Sequence, residues 1–117
     1  MTRAFIHTSI FDKRWEELNL FDNDLWELQE FILQNPGVGD IISGTGGAIK
    51  LRWALPNKGK RGGIRIIYID LIKFEKIYLL TCYLKSKQDN LTDNEKSAIK
   101  NTIKRIAKSE EDIFYGQ

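Results

Sequence analysis

Six basic side chains fall in a stretch of this chain that contains no acidic residue. The stretch runs from residue 41 to residue 69, and its cations are Lys50, Arg52, Lys58, Lys60, Arg61 and Arg65. Like charges held close together repel, so clustering them contributes little to folding, whereas a basic surface attracts and binds the phosphates of a polyanion. The cluster therefore indicates either a phosphate-binding site or a solvated basic face without a ligand.

The spacing of these cations favours the phosphate site. Lys50 and Arg52 alternate with apolar residues, which places both on one face of a strand. Arg65 begins the next predicted strand and is expected across the hairpin from them, and Lys85 and Lys87 follow the third strand. If the three strands are neighbours, cations from separate segments gather on one sheet surface, an arrangement typical of nucleic-acid binding.

Four further features of the sequence bear on possible chemistry. Tyr83 is a candidate stacking surface for an unpaired base, with an ordinary strand tyrosine as the alternative. His7 is the only histidine, so a two-histidine acid–base pair is excluded. Cys82 is the only cysteine and lies in an apolar strand, which predicts a small core residue and excludes an intramolecular disulfide. Residues 44–47, GTGG, precede a strand and lack the lysine of a phosphate loop, so they predict a tight turn.

The composition describes an ordinary globular domain. The 117 residues are 42% hydrophobic and 29% charged, and the net charge is +2. No apolar run approaches the roughly 20 residues needed to cross a bilayer, and the N-terminus lacks a secretion signal. We therefore expect one domain over residues 1–117, cytoplasmic, without a membrane partner and without a metal or other cofactor. Residues 110–117 are expected to form a tail.

The elements that position the cations follow from hydrophobic periodicity and from capping signals. Helices grouped ahead of an antiparallel meander predict an α+β domain with helices packed on a sheet. A capping box at Thr92 and Glu95 begins the last helix, which is expected to end near Lys108. The predicted elements are a strand at 4–9, helices at 12–18 and 22–35, a loop at 37–47, strands at 49–55, 64–71 and 77–84, a hairpin loop at 56–63, and the C-terminal helix.

Two segments resemble a known family. GTGGAIKLRWALPNKGKRGGIRIIYI, at 44–69, and IYLLTCYLKSKQDNLTDNEKSAIK, at 77–100, are similar to the RelE/ParE superfamily of bacterial toxins, most closely its HigB-type branch. These proteins are the toxin halves of type II toxin–antitoxin pairs. The resemblance implies a RelE-like, microbial-RNase-type fold: an N-terminal strand, two helices, an antiparallel sheet of about four strands and a C-terminal helix.

The resemblance also implies an activity, cleavage of messenger RNA in the ribosomal A site. A ribose 2′-hydroxyl attacks the adjacent phosphate and leaves a 2′,3′-cyclic phosphate, without a metal ion. Arginine stays protonated, so Arg65 is expected to clamp the phosphorane and Arg52 to hold phosphate. A lysine crowded by other cations loses its proton more easily, so either Lys50 or Lys85 is expected to act as base or acid. The residues expected to contact the RNA are Lys58, Lys60, Arg61, Lys87 and Tyr83.

Two rival functions stay open at this point. ParE-like members share the fold but poison DNA gyrase and lack RNase activity, and a basic surface also suits a non-catalytic RNA-binding or ribosome-binding domain. The family implies a cognate antitoxin, expected to be a helix-turn-helix, HigA-like DNA-binding protein, with the ribosome and messenger RNA as the other partners. Whether the antitoxin covers the cationic site is left open.

Overall fold

The computed structural model describes residues 2–54 and 63–116, and they form an α+β domain. The order of the main elements agrees with the prediction, and a short 3₁₀ turn at Ile72–Phe74 joins the last two strands. None of the helices in these ranges is long and apolar enough to span a membrane. The elements are β1 (Ala4–His7), α1 (Ser9–Glu17), α2 (Asp22–Gln34), β2 (Asp40–Ile41), β3 (Ile49–Trp53), β4 (Ile64–Leu71), β5 (Lys76–Leu84) and α3 (Asp93–Phe114).

The sheet has five strands in the order β1-β5-β4-β3-β2. The strands β3, β4 and β5 form the expected antiparallel meander, but β1 joins β5 in parallel, so the sheet is mixed rather than purely antiparallel. Parallel neighbours need a long connection, and the chain from α1 to β4 supplies it between β1 and β5. The fifth strand, β2, is only two residues long and lies in the predicted loop at 37–47.

The helices cover opposite faces of this sheet. On one face, α1 and α2 bury Phe11 and Leu28 against β4 residues such as Ile66. On the other face, α3 buries Ile103 against a cluster that includes Ile67. Both faces of β4 are therefore covered, which explains why its sequence is apolar without alternation. The one interruption of that apolar run before residue 70 is Arg65, whose side chain shares the α3 face with Ile67 because the two residues are two positions apart.

The ends of α3 show one confirmed and one wrong prediction. The capping box is present: Glu95 N donates to Thr92 Oγ1 at 3.1 Å, and Thr92 N donates to Glu95 Oε1 at 2.8 Å. The expected tail from residue 110 is wrong, because the helix continues to Phe114. Glu110 fixes this last part of the helix, since Lys76 Nζ donates to its Oε1 at 2.6 Å and the Tyr78 hydroxyl donates to its Oε2. We call this group, Glu110 with Lys76 and Tyr78, the ionic anchor.

Candidate nucleic-acid interface

A row of polar side chains crosses three strands on the α3 face of the sheet. Arg52 of β3 is the register partner of Arg65 of β4, and Arg65 is in turn the partner of Tyr83 of β5. The hairpin therefore places Arg65 across from Arg52, as its sequence predicts. Like charges directly opposite each other destabilise a strand pair, so the fold alone does not favour this arrangement.

Arg52 and Arg65 line a concave site, which we call the cationic pocket. Its volume is about 500 Å³, and its charged lining residues are Arg52, Arg65, Lys85 and Asp89. Arg65 is only 6% exposed, whereas the other three side chains reach solvent. Among the described lining residues, three cations and one carboxylate give a net positive charge, and a guanidinium held by packing is a fixed donor for a phosphate oxygen. The remaining lining residues are Trp53, Ala54 and Gly63.

Gly63 allows the two strands of the hairpin to close at the rim of the pocket. Its φ is +52°, and a Cβ atom there would lie 2.4 Å from the carbonyl oxygen of Trp53. A side chain is therefore excluded both by the backbone conformation and by the close approach of the strands. The Gly63 carbonyl also accepts a hydrogen bond from the backbone of Lys85 at 3.3 Å, which fixes the point where Lys85 leaves β5.

The loop after β5 carries the other charged residues of the pocket and is tied to the start of α3. Gln88 Nε2 donates to Glu95 Oε1 at 2.7 Å, which links the loop to the capping box. Lys50 Nζ donates to Asn90 Oδ1 at 3.2 Å, so Lys50 lies beside the pocket but is not among its lining residues. Lys87 is exposed on the turn that precedes Gln88 and does not line the pocket either.

Tyr83 does not offer the expected stacking surface, because its side chain is 8% exposed beneath α3. Its hydroxyl finds no hydrogen-bond partner within residues 2–54 and 63–116. Burial raises the pKa of Tyr83; the charge of Arg65 opposes this rise, and the charges of Glu95 and Asp89 add to it. The phenol therefore stays protonated at neutral pH.

The site predicted from the sequence does not include Asp89. Asp89 is the one carboxylate among the described lining residues. Its signal in the sequence is its position four residues after Lys85 in the same loop, which a search for clustered cations does not reveal. Lys58, Lys60 and Arg61 lie outside the described residues, so their expected contacts with RNA stay predictions.

The other chemistry-bearing residues lie away from the pocket. His7 Nδ1 is 3.2 Å from Asp12 Oδ1, and its Nε2 is 3.0 Å from Gln29 Nε2. Cys82 is a core residue, as predicted, and burial raises its pKa to about 12. Thr45 closes the predicted turn by donating to the Ile42 carbonyl at 2.6 Å. Within the described ranges no group of histidine, cysteine, aspartate or glutamate side chains is arranged to hold a metal ion.

A second concavity, of about 470 Å³, lies on the same face and is apolar. It separates the start of α1 from α3, and its lining includes Ile10, Leu80, Ile99 and Ile106. The groove shares no lining residue with the cationic pocket, so the two sites have different chemistry.

Comparisons with known proteins agree with this architecture. A family model described as the RelE toxin of the RelE/RelB toxin–antitoxin system matches residues 3–114. A solved structure of the E. coli toxin RelE, a double arginine-to-alanine mutant in the free state, superposes with a TM-score of 0.53. The match covers 76% of this chain and 90% of that chain at 14% sequence identity, so it establishes similarity of fold.

Proposed function

The chain belongs to the RelE toxin family of toxin–antitoxin systems, and from that premise we propose that it is a ribosome-dependent endoribonuclease that cuts messenger RNA and thereby inhibits translation. The family implies an antitoxin as partner. The observation that carries the proposal is the convergence of Arg52, Arg65 and Lys85, from three separate segments, in one pocket. The two motif segments support a HigB-type branch, and hence a helix-turn-helix, HigA-like antitoxin and a cytoplasmic site of action.

In this proposal the two arginines hold the scissile phosphate. The attack of a ribose 2′-oxygen produces a phosphorane that carries more negative charge than the phosphate in the ground state. Arg65 is almost fully buried, so its charge acts in a medium of lower dielectric than water and is already oriented before the reaction. Arg52, directly opposite on β3, binds a second oxygen. These fixed cations supply the stabilisation that a metal ion supplies in other nucleases, which supports a metal-independent reaction.

The proton transfers fall to the remaining charged groups of the pocket. Asp89 is proposed as the base that accepts the 2′-hydroxyl proton, because it is the one carboxylate among the described lining residues of the pocket. The 2′-oxygen then bonds to phosphorus, the bond from phosphorus to the 5′-oxygen breaks, and Lys85 donates a proton to that leaving oxygen. The products are a 2′,3′-cyclic phosphate and a 5′-hydroxyl. Lys50, held by Asn90 beside the pocket, and the exposed Lys87 contact the RNA backbone.

A reconstituted translation system tests this function. A defined message is incubated with the protein in the presence and in the absence of ribosomes. We expect discrete cuts only when ribosomes translate the message, and 2′,3′-cyclic phosphates on the upstream fragments. An intact message with inhibited gyrase would instead indicate the ParE-like activity, and ribosome binding without cleavage would indicate the non-catalytic alternative.

A further inference from the structure

The helix α3 carries a second group of cations that is separate from the pocket. Between residues 96 and 109 the chain contains no acidic residue, although acids are present on both sides of that range. Four of the five cations there are lysines spaced four residues apart, and the fifth is Arg105. The lysine row, as we call it, consists of Lys96, Lys100, Lys104 and Lys108.

The row lies on one flank of α3. An α-helix turns by 100° and rises 1.5 Å per residue, so each lysine lies about 6 Å further along the axis and about 40° further round, and the row spans about 18 Å. None of its members lines the apolar groove, which is bordered by Ile99, Thr102 and Ile106 on the other flank. Lys100 instead points toward the loop before β3, because its Cγ lies 4.0 Å from the position that a Cβ atom on Gly46 would occupy.

Most lysines of this row lack the acidic neighbours that usually pair with lysines on an exposed helix. Exposed helices commonly pair lysine with glutamate at four-residue spacing. Here Lys108 forms such a pair with Asp112, at 3.6 Å. Lys96, Lys100 and Lys104 have no carboxylate within ion-pair distance in the described parts of the chain. Lys96, Lys100 and Lys104 therefore form a positive surface whose charge is not compensated by ion pairs among the described residues, whereas Lys108 is paired with Asp112.

The row begins close to the cationic pocket, and Asp89, Asp93 and Glu95 separate the two groups of cations along the chain. Lys50 lies beside that pocket and bonds to Asn90, two residues before Thr92, which caps α3. The first lysine of the row follows that cap by four residues. A polyanion in the pocket and one along α3 would therefore lie side by side on the same face of the sheet.

We propose that the lysine row docks on the phosphate backbone of folded ribosomal RNA while the pocket holds the messenger strand; this inference rests on the proposed function. Single-stranded RNA is bound in grooves with aromatic platforms, and residues 96–109 contain no aromatic residue. Lysines on a convex helix act as point charges without base contacts, which suits the regularly spaced phosphates of a rigid, folded RNA. The row thus gives the toxin affinity for the ribosome independently of the message.

The test measures binding separately from cleavage. In a cleavage-deficient Arg65→Ala background, Lys100→Gln with Lys104→Gln removes two charges from the row. Lys13→Gln with Lys73→Gln removes two exposed lysines elsewhere and serves as the matched control. Affinity for purified bacterial ribosomes is measured by pelleting between about 0.05 and 0.2 M salt, together with affinity for a short unstructured RNA.

We expect the row variant to bind ribosomes about 10- to 50-fold more weakly near 0.1 M salt and to lose about 1.5 from the slope of log K against log salt. Binding to the unstructured RNA should match that of the control. If the row variant and its control bind ribosomes with equal affinity, the lysine row does not dock on the ribosome, although the protein itself still binds it. If the row variant also loses affinity for the unstructured RNA, to the same extent as for ribosomes, the row is not specific for folded RNA and this part of the proposal is wrong. Failure of the unsubstituted protein, with Arg65 in place, to bind ribosomes would refute the proposed function as well.

Discussion

The ionic anchor and the cationic pocket both bury a charged side chain on the α3 face of the sheet, and they do so in opposite ways. Glu110 is 4% exposed and Arg65 is 6% exposed. Glu110 receives hydrogen bonds from Lys76 and Tyr78, so a negative charge meets a positive one and a neutral donor. Arg65 has another arginine, Arg52, as its register partner.

We interpret the charges of the anchor as structural and those of the pocket as functional. Burying an ion costs several kcal/mol unless the surroundings compensate it. The anchor is compensated within the chain and holds α3 against β5. Among the described lining residues of the pocket, Arg52, Arg65 and Lys85 outnumber one carboxylate, Asp89. An anion is attracted to such a group of cations, which is the functional use of charge that we propose for the pocket.

The largest effect should come from removing positive charge from the pocket. The double substitution Arg52→Ala with Lys85→Ala takes away one phosphate ligand and the proposed acid. Because removal of a single preorganised donor costs about 10²- to 10³-fold in rate, we expect the double variant to lose about 10³-fold or more in single-turnover cleavage on ribosomes. Thermal unfolding should change little, since both side chains are exposed. Cleavage within about tenfold of wild type would contradict the roles given to both residues.

A smaller effect, on stability rather than on chemistry, is expected at the anchor. Glu110→Ala leaves Lys76 without its ion-pair partner and the Tyr78 hydroxyl without an acceptor, and both of these side chains are partly exposed. Because breaking a fully buried pair costs about 3–5 kcal/mol, we expect a loss of about 1–3 kcal/mol for this partly exposed pair. Denaturant unfolding at neutral pH measures this loss, with the exposed neighbour change Glu111→Ala as control. Equal stabilities of the two variants would show that the anchor does not hold α3.

The anchor also predicts a pH dependence. Burial alone would raise the pKa of Glu110, but the hydrogen bonds from Lys76 and Tyr78 outweigh burial and lower that pKa below its ordinary value of 4.5. A carboxylate whose folded pKa is lowered stabilises the protein above its unfolded pKa, and this contribution disappears as the pH falls through the folded value. The free energy of unfolding should therefore fall more steeply below about pH 5 in wild type than in Glu110→Gln. Parallel pH profiles would contradict this coupling.

The smallest effect is expected at the thiol. Cys82 lies in the core, and burial raises its pKa to about 12, so no thiolate forms at neutral pH. Cys82→Ser should lower stability by about 1–2 kcal/mol, because it buries a hydroxyl. Its cleavage rate should stay within about twofold of wild type, which corresponds to about 0.4 kcal/mol. A folded Cys82→Ser protein that no longer cuts would assign chemistry to the thiol.

The sequence predicted the elements with strong local signals and missed contacts between distant segments. The start of α3 followed from the Thr92 capping box, and β4 followed from an apolar run, because both signals are local. The parallel pairing of β1 with β5 and the contact of Glu110 with Lys76 join distant segments, so periodicity does not reveal them. Glu110 lies seven residues after Ile103 on the same face of α3, in the part of the chain that the sequence predicts to be a tail.

The candidate site shows the same limit. Alternation on β3 and the position of Arg65 at the start of β4 sufficed to predict that Arg52 and Arg65 lie opposite each other. The burial of Tyr83 depends on where α3 packs, and the place of Asp89 in the pocket depends on how the loop after β5 folds back. Neither is encoded in a short window of sequence.

The most direct test of the central claim is primer extension on a message that is translated in a reconstituted system. Arg65→Ala and Glu110→Gln are compared at equal concentrations of folded protein. If the pocket holds the scissile phosphate and the anchor only holds α3, the cuts disappear with Arg65→Ala and persist at the same codons with Glu110→Gln. Persistent cuts with a folded Arg65→Ala protein would contradict the account, as would equal losses in both variants.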